Sequence, residues 1–276
     1  MLVLDVILGI GIPVCLAWWA VKKHDTKLST ILIGAATFIV SALVLESIVH
    51  KLVLTGARGT AIMGNMWYYA LYGGLMAGLF EETGRFLAMK FFMKKEASST
   101  KSGVAYGLGH GGIEMMLVFG LSMISMLSMA IMINSGQADT LFSQASGGAQ
   151  ELMAAQIDQL KSASAGEYLY GLWERFSAII LQVSLSILVW AAVRRGGKWL
   201  WLFPAAILLH AIVDGVAVII SKSLGMFTVE LIITLMAVAI SLLAWLVAHK
   251  AFPATAPVPA AVQPEELQEE VPPQSE

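Results

Sequence analysis

Glu81, Glu82 and Arg85 stand within five residues of one another, inside an apolar run from about Ala61 to Phe92. Charged groups in a membrane helix cost roughly 2.5–3.5 kcal/mol each on insertion scales, so a chain that carries them gives them a polar interior and partners. On a helix Glu81 and Arg85 are four apart and Glu82 and Arg85 three apart, so the guanidinium reaches either acid and leaves the other free to act. Two further pairs share this character: His110 with Glu114, in Tyr106-Gly107-Leu108-Gly109-His110-Gly111-Gly112-Ile113-Glu114, and His210 with Asp214. Each has i,i+4 spacing, which puts its members on one helix face. The plainer alternative for all of them is ion pairs that hold helices together.

Carboxylates, imidazoles and an orienting guanidinium in a water-accessible membrane cavity suit hydrolysis. A carboxylate in a low-dielectric site acts as general base on water. The arginine or a second acid holds it in place, and the histidines with Asp214 polarise a scissile carbonyl and stabilise its oxyanion. The same residues serve equally as metal ligands. His110, His210 and one of Glu82, Glu114 or Asp214 make a two-histidine, one-carboxylate zinc site with a fourth position for water. There is no His-Glu-x-x-His run, and the residues alone do not separate a glutamate-activated water from a zinc-bound one.

These groups need helices to carry them, and the composition supplies helices in lipid. Of 276 residues 58% are hydrophobic and 13% charged, with mean hydropathy +0.76; soluble domains carry roughly 25% charged residues. The fold class is all-α, a polytopic membrane bundle of about seven spanning helices with an eighth allowed. A span needs about 20 mostly apolar residues. The stretches that qualify run from about 2–21, 29–50, 61–93, 103–133, 168–193, 198–221 and 225–249. The first lacks a basic start and a small-residue cleavage site, and Asp5 sits where a signal peptide is positive; it reads as a retained helix. The segment 134–167 is rich in Ser, Ala, Gln and Gly and has room for an amphipathic helix near 149–161. The chain divides into a helical domain, 1–251, with its chemistry in 61–222, and a Pro-rich acidic tail, 252–276, that is expected to be disordered.

Eleven Lys and Arg fall in loops on one face and four on the other. The positive-inside rule puts the first face in the cytoplasm, the N-terminus outside and the tail inside. With that frame, Glu82, His110 and His210 lie 12, 9 and 12 residues from the basic loop positions Lys94, Lys101 and Lys198. At about 1.5 Å per residue they share a depth of roughly 14–18 Å from the cytoplasmic border. Scattered structural polar groups have no reason to agree in depth. Glu46, Glu230 and the pair Glu174-Arg175 fall toward the outer side. Glu174-Arg175 reads as a structural pair, with a part in substrate access as the alternative. His50 and His249 at helix ends read as solvated, and His24 carries no signal. The methionines of the fourth span, Met115, Met116, Met123, Met126 and Met129, read as packing. A net charge of -2 points away from nucleic acid, and the lone Cys15 excludes a disulfide framework or a cysteine zinc site.

The set Glu81-Glu82-x-x-Arg85, Tyr106-x-x-x-His110 and His210-x-x-x-Asp214 resembles the CAAX-protease and bacteriocin-processing superfamily of intramembrane proteases. Glu-Glu-Thr-Gly-Arg-Phe, Tyr-Gly-Leu-Gly-His-Gly-Gly-Ile-Glu and Leu-His-Ala-Ile-Val-Asp-Gly look more closely like its YhfC-like branch of bacterial membrane proteins. The resemblance covers 61–222 and implies an intramembrane endopeptidase of the cell membrane, acting on a membrane-embedded or lipidated peptide or protein. It implies Glu81 or Glu82 as base, with a slight preference for Glu82. Arg85 orients, His110, His210 and Asp214 assist, and Glu114 and Tyr106 support. No cofactor is the preferred expectation; zinc is the alternative, since the branch is often described as metalloproteases. Two departures stand out. The first motif has two residues rather than three between its acids and its arginine. Gln182 occupies a position, seven residues after the Glu-Arg pair, where many YhfC-like chains carry histidine. From other classes, a proton-coupled transporter and a non-catalytic membrane scaffold remain open, although no inverted repeat of the transporter kind is present.

Overall fold

The computed structural model describes residues 1–137, 143 and 147–253. Nine helices carry the described chain. They are α1 (Leu2–His24), α2 (Leu28–Val53), α3 (Gly56–Met63), α4 (Met66–Phe92), α5 (Thr100–Asn134), α6 (Gly148–Ser162), α7 (Ala165–Arg195), α8 (Leu202–Ile220) and α9 (Met226–Ala251). The expected surface helix of the 134–167 segment is α6; the tail from 254 onward lies outside the described residues. No strand occurs among the described residues. The protein is a polytopic helical membrane protein.

Six helices, α1, α2, α5, α7, the segment Gly197–Ile220 that ends in α8, and α9, are long and apolar enough to cross a bilayer. The expected third span divides. Gly64 and Asn65 end α3, and the Asn65 side chain accepts from the backbone N–H of Trp67 and Tyr68 at 3.0 and 3.2 Å, capping a fresh start to α4. At 27 residues α4 has the length to span but not the apolarity of the others, because Glu81, Glu82 and Arg85 interrupt it. Those three side chains are buried, so its polar face looks inward and its apolar face outward.

α7 is the axis of the bundle: 72% of its apolar window is buried, against 28% or less in the other five candidate spans. It packs on α5, α9 and, through the same core, α4 and α8. Large apolar side chains elsewhere point out, as Phe92, Trp201 and Leu52 do, which is the expected inversion for a lipid-facing surface. Close approach at the centre is made by glycine. A Cβ on Gly109 would lie 1.9 Å from Ile31 O, and one on Gly34 2.2 Å from Tyr106 O, so α2 and α5 meet backbone to backbone. Gly74 and Gly78 do the same for α4 against α8, with Cβ positions 2.3 Å from Ala211 O and 2.5 Å from Ile207 O. Two π-helical stretches, Ile39–Glu46 in α2 and Met115–Gly120 in α5, end at Glu46 and begin just after Glu114. Such insertions re-aim side chains, and they recur at functional sites.

Candidate active site

Gly74 and Gly78 seat α4 on α8, and Gly107, whose added Cβ would lie 2.6 Å from Val183 Cα, seats α5 on α7, so that short side chains meet in the centre. Adjacent on α4, Glu81 and Glu82 project about 100° apart around the helix, and they find different partners. Glu82 turns toward α8. Its Oε2 lies 3.1 Å from Arg85 Nη1 and its Oε1 2.9 Å from His210 Nδ1, with Glu82 and Arg85 wholly buried. Glu81 turns toward α5 and α7. Its Oε2 lies 2.9 Å from His110 Nε2 and accepts a second bond of 2.9 Å from Gln182 Nε2.

Gln182 is the joint of the site. Arg85 donates from Nη2 to Gln182 Oε1 and from Nη1 to the Gln182 carbonyl at 3.5 Å. Arginine has donors and no acceptor, so the amide oxygen must face Arg85. The amide nitrogen therefore faces the acids, and it donates to Glu114 Oε2 at 2.8 Å as well as to Glu81. Glu114 is paired in turn with Arg175 across 3.3 Å, and Arg175 also binds Glu174. One continuous network thus runs from His210 through Glu82, Arg85, Gln182 and Glu114 to Arg175. His110 is wedged by Phe38 edge-on, ring centroids 5.3 Å apart, and by Tyr106, stacked at 6.1 Å. Its Nδ1 is buried without a hydrogen-bond partner among the described residues.

A cavity of about 380 Å³ opens beside this network. Glu81, Glu114, Gln182, His210 and Asp214 are on its wall; Glu82, Arg85 and His110 are behind it. His210 has Nδ1 on Glu82, which leaves Nε2 on the cavity side, 3.6 Å from Asp214 Oδ2. Every residue expected at the site is therefore in or directly behind one cluster. Tyr106 supports it by packing on His110.

Several neighbours stand differently from the sequence reading. Arg175 is more than a partner for the adjacent Glu174, because it crosses to Glu114 and lines the cavity. His50 is not simply solvated: its Nε2 lies 3.1 Å from Glu46 Oε1 and its Nδ1 2.9 Å from Tyr72 OH. His249 is exposed as expected, with its ring tilted against that of Trp245, and His24 sits edge-on to Trp19. Gln182, in sequence a departure from the resembling family's pattern, is in the structure bonded to Arg85, Glu81 and Glu114. A polar amide in a span of otherwise apolar and small residues was the signal for it.

Among the described residues no three His, Cys, Asp or Glu side chains stand together as a formed ligand set. In donor chemistry the cluster nonetheless fits a divalent metal. Two imidazoles and several carboxylates are within one cluster, and Glu82 holds His210 through Nδ1 in the carboxylate–histidine pairing that orients metal-binding imidazoles. His110 lacks such a partner on Nδ1 among the described residues.

A helical membrane protein with carboxylates and histidines converging on a buried cavity has the architecture of an intramembrane hydrolase. Residues 6–241 match the YhfC intramembrane metalloprotease family. The chain is 39% identical over 230 residues to the uncharacterized membrane protein YhfC of Bacillus subtilis (strain 168), an alignment covering 82% of this chain and 87% of that protein. The chain belongs to the YhfC intramembrane metalloprotease family. No solved structure matches it.

Proposed function

We propose that this protein is an intramembrane endopeptidase that hydrolyses a peptide bond of a membrane-associated protein or peptide, with Glu81 as the base. The observation that carries this reading is the division of labour between the adjacent acids. Glu82 is wholly buried between Arg85 and His210, whereas Glu81 reaches the cavity wall and is held by donors from His110 and Gln182. A held, cavity-facing carboxylate is what general-base catalysis on water requires. The motif resemblance slightly favours Glu82; the partners of the two side chains favour Glu81.

In this mechanism a substrate strand enters the cavity with its scissile carbonyl near His210. Water between Glu81 and that carbonyl attacks the carbon as Glu81 takes its proton. His210, protonated on both nitrogens between the Glu82 and Asp214 carboxylates, keeps Nδ1–H on Glu82 and donates from Nε2–H to the developing oxyanion. Collapse breaks the C–N bond, and the proton held by Glu81 passes to the leaving amine. Arg85 keeps Glu82 and Gln182 in register, and Gln182 keeps Glu81 aimed. The basic-loop count supports an orientation with this chemistry nearer the cytoplasmic side.

The family name and the Glu82–His210 pairing favour a second reading in which a zinc ion takes part. His110 and His210 with Glu114 or Asp214 would hold it, and bound zinc would polarise the carbonyl and the attacking water. Glu81 keeps its role as base under either reading. Purified protein in lipid, incubated with a library of transmembrane peptides and read by mass spectrometry, tests the proposal. Discrete cleavage that persists in chelator supports the metal-free reading. Cleavage lost in chelator and restored by zinc supports the second. The absence of any cleavage, with dye-labelled solutes accumulating in proteoliposomes instead, would favour a transporter.

A further inference from the structure

The cavity extends past the catalytic cluster toward the start of α9, and this far end is acidic. Five carboxylates, Glu81, Glu114, Glu174, Asp214 and Glu230, line the cavity against one guanidinium, that of Arg175. Four of the five are engaged. Glu81 binds His110 and Gln182, Glu114 binds Gln182 and Arg175, Glu174 binds Arg175, and Asp214 faces His210. Glu230 is different. It is 8% exposed, it lines the cavity, and its Oε2 is buried with no hydrogen-bond partner among the described residues.

A carboxylate in that position is costly unless something pairs with it. It lies beyond the first turn of α9, where the helix macrodipole gives little help. The nearby hydroxyls do not serve it. Trp173 donates to Thr234 at 2.8 Å, Ser177 lies 2.8 Å from the same oxygen, and Thr234 donates to the Glu230 carbonyl at 2.7 Å rather than to its carboxylate. Val218, Val229 and Ile233 line the same end of the cavity. Apolar walls with a carboxylate at the end match a long alkyl stem that ends in a cation.

Resting on the protease reading above, we propose that this end of the cavity is a specificity subsite for a lysine or arginine side chain of the substrate. Glu230 is its anchoring carboxylate, and Glu174 is the acidic rim that draws the cation in. Glu230 is a recognition residue, remote from the reacting atoms.

The test uses the full chain in lipid nanodiscs and model transmembrane peptides that carry a photo-crosslinker. Lysine or norleucine is placed in turn at each position within three residues of the cut. A charged hydrogen bond of about 1.5–3 kcal/mol predicts that lysine at one position raises both capture and kcat/KM by about tenfold or more. In Glu230→Gln the lysine-to-norleucine ratio falls to near one, and Glu230→Asp recovers part of it. A ratio unchanged in Glu230→Gln, or no position that prefers lysine, overturns the subsite. Lysine-selective capture without cleavage of any peptide upholds the subsite and counts against the protease reading. Cleavage without any lysine preference does the reverse. If Glu230→Gln fails to fold, Glu174→Gln on the rim carries the test, with a smaller fall in the same ratio expected.

Discussion

Glu82 Oε1 lies 2.9 Å from His210 Nδ1, and the same carboxylate holds Arg85 through its other oxygen at 3.1 Å. These three side chains are almost wholly excluded from solvent. The acid thus ties α4 to α8 and sets which nitrogen of His210 faces the cavity. Adjacent glutamates of one motif therefore have separate partners, Glu82 between Arg85 and His210, and Glu81 against His110 and Gln182 at the cavity wall.

This arrangement predicts a stability effect specific to one acid. Removing one partner of a buried ion pair typically costs 3–5 kcal/mol, because the other charge is left uncompensated. Glu82→Ala and Arg85→Ala are each expected to lower thermal stability in detergent sharply. The double variant should lose less than the sum of the two, since both remove the same interaction. Glu81→Gln, which keeps a side-chain oxygen to accept from His110 or Gln182, should lower the melting temperature much less. Equal destabilisation by Glu81→Gln and Glu82→Ala would contradict the assignment.

Gln182 offers a pH test whose sign follows from its donors. Its amide nitrogen donates to both Glu81 and Glu114. Gln182→Glu replaces that donor with an oxygen, and an ionised carboxylate there would face two others. Cleavage at neutral pH is expected to fall by at least about tenfold, the scale of losing a held base. On acidification the new carboxyl gains a proton and can donate again. Activity relative to wild type should therefore rise as pH falls. A variant-to-wild-type ratio that is flat with pH would remove Gln182 from its place between the acids.

The sequence carries much of this site, because charge in an apolar span is conspicuous. The distances of Glu82, His110 and His210 from basic loops imply a common depth, and their side chains meet in one cluster through Glu81, Glu82 and Gln182. The glycines flanking His110 likewise imply a close helix contact, and α2 supplies it at Gly34. What could not be read is rotation. Arg85 is within reach of both acids by spacing, and the choice of Glu82 depends on how α4 is turned against α8. The role of Arg175 was hidden because its more informative partner, Glu114, is 61 residues away in the chain. Gln182 was inconspicuous because it carries no charge, although its amide joins three of the charged residues. The split of the expected third span at Gly64 and Asn65 depends on a cap, a local signal that hydropathy averages away.

The backbone contact between α2 and α5 gives a third prediction. A methyl group at Gly109 would meet Ile31 O at 1.9 Å, and backbone cannot yield as a flexible side chain does. Overpacking of this kind costs typically 1–3 kcal/mol. Gly109→Ala should lower stability and also reduce cleavage, because His110 follows it directly. Gly11, with nothing within 4 Å of its added Cβ, is the matched control, and Gly11→Ala should behave as wild type.

The most direct measurement is the cleavage rate of a model transmembrane substrate by wild type and by Glu81→Gln, in lipid, normalised to folded protein. Glutamine keeps the shape of the side chain and removes its capacity to take a proton. General-base catalysis contributes about 10²–10⁴-fold, so the variant should fold normally and lose at least about a hundredfold in rate. Glu81→Gln that cleaves within a few-fold of wild type would contradict the account at its centre.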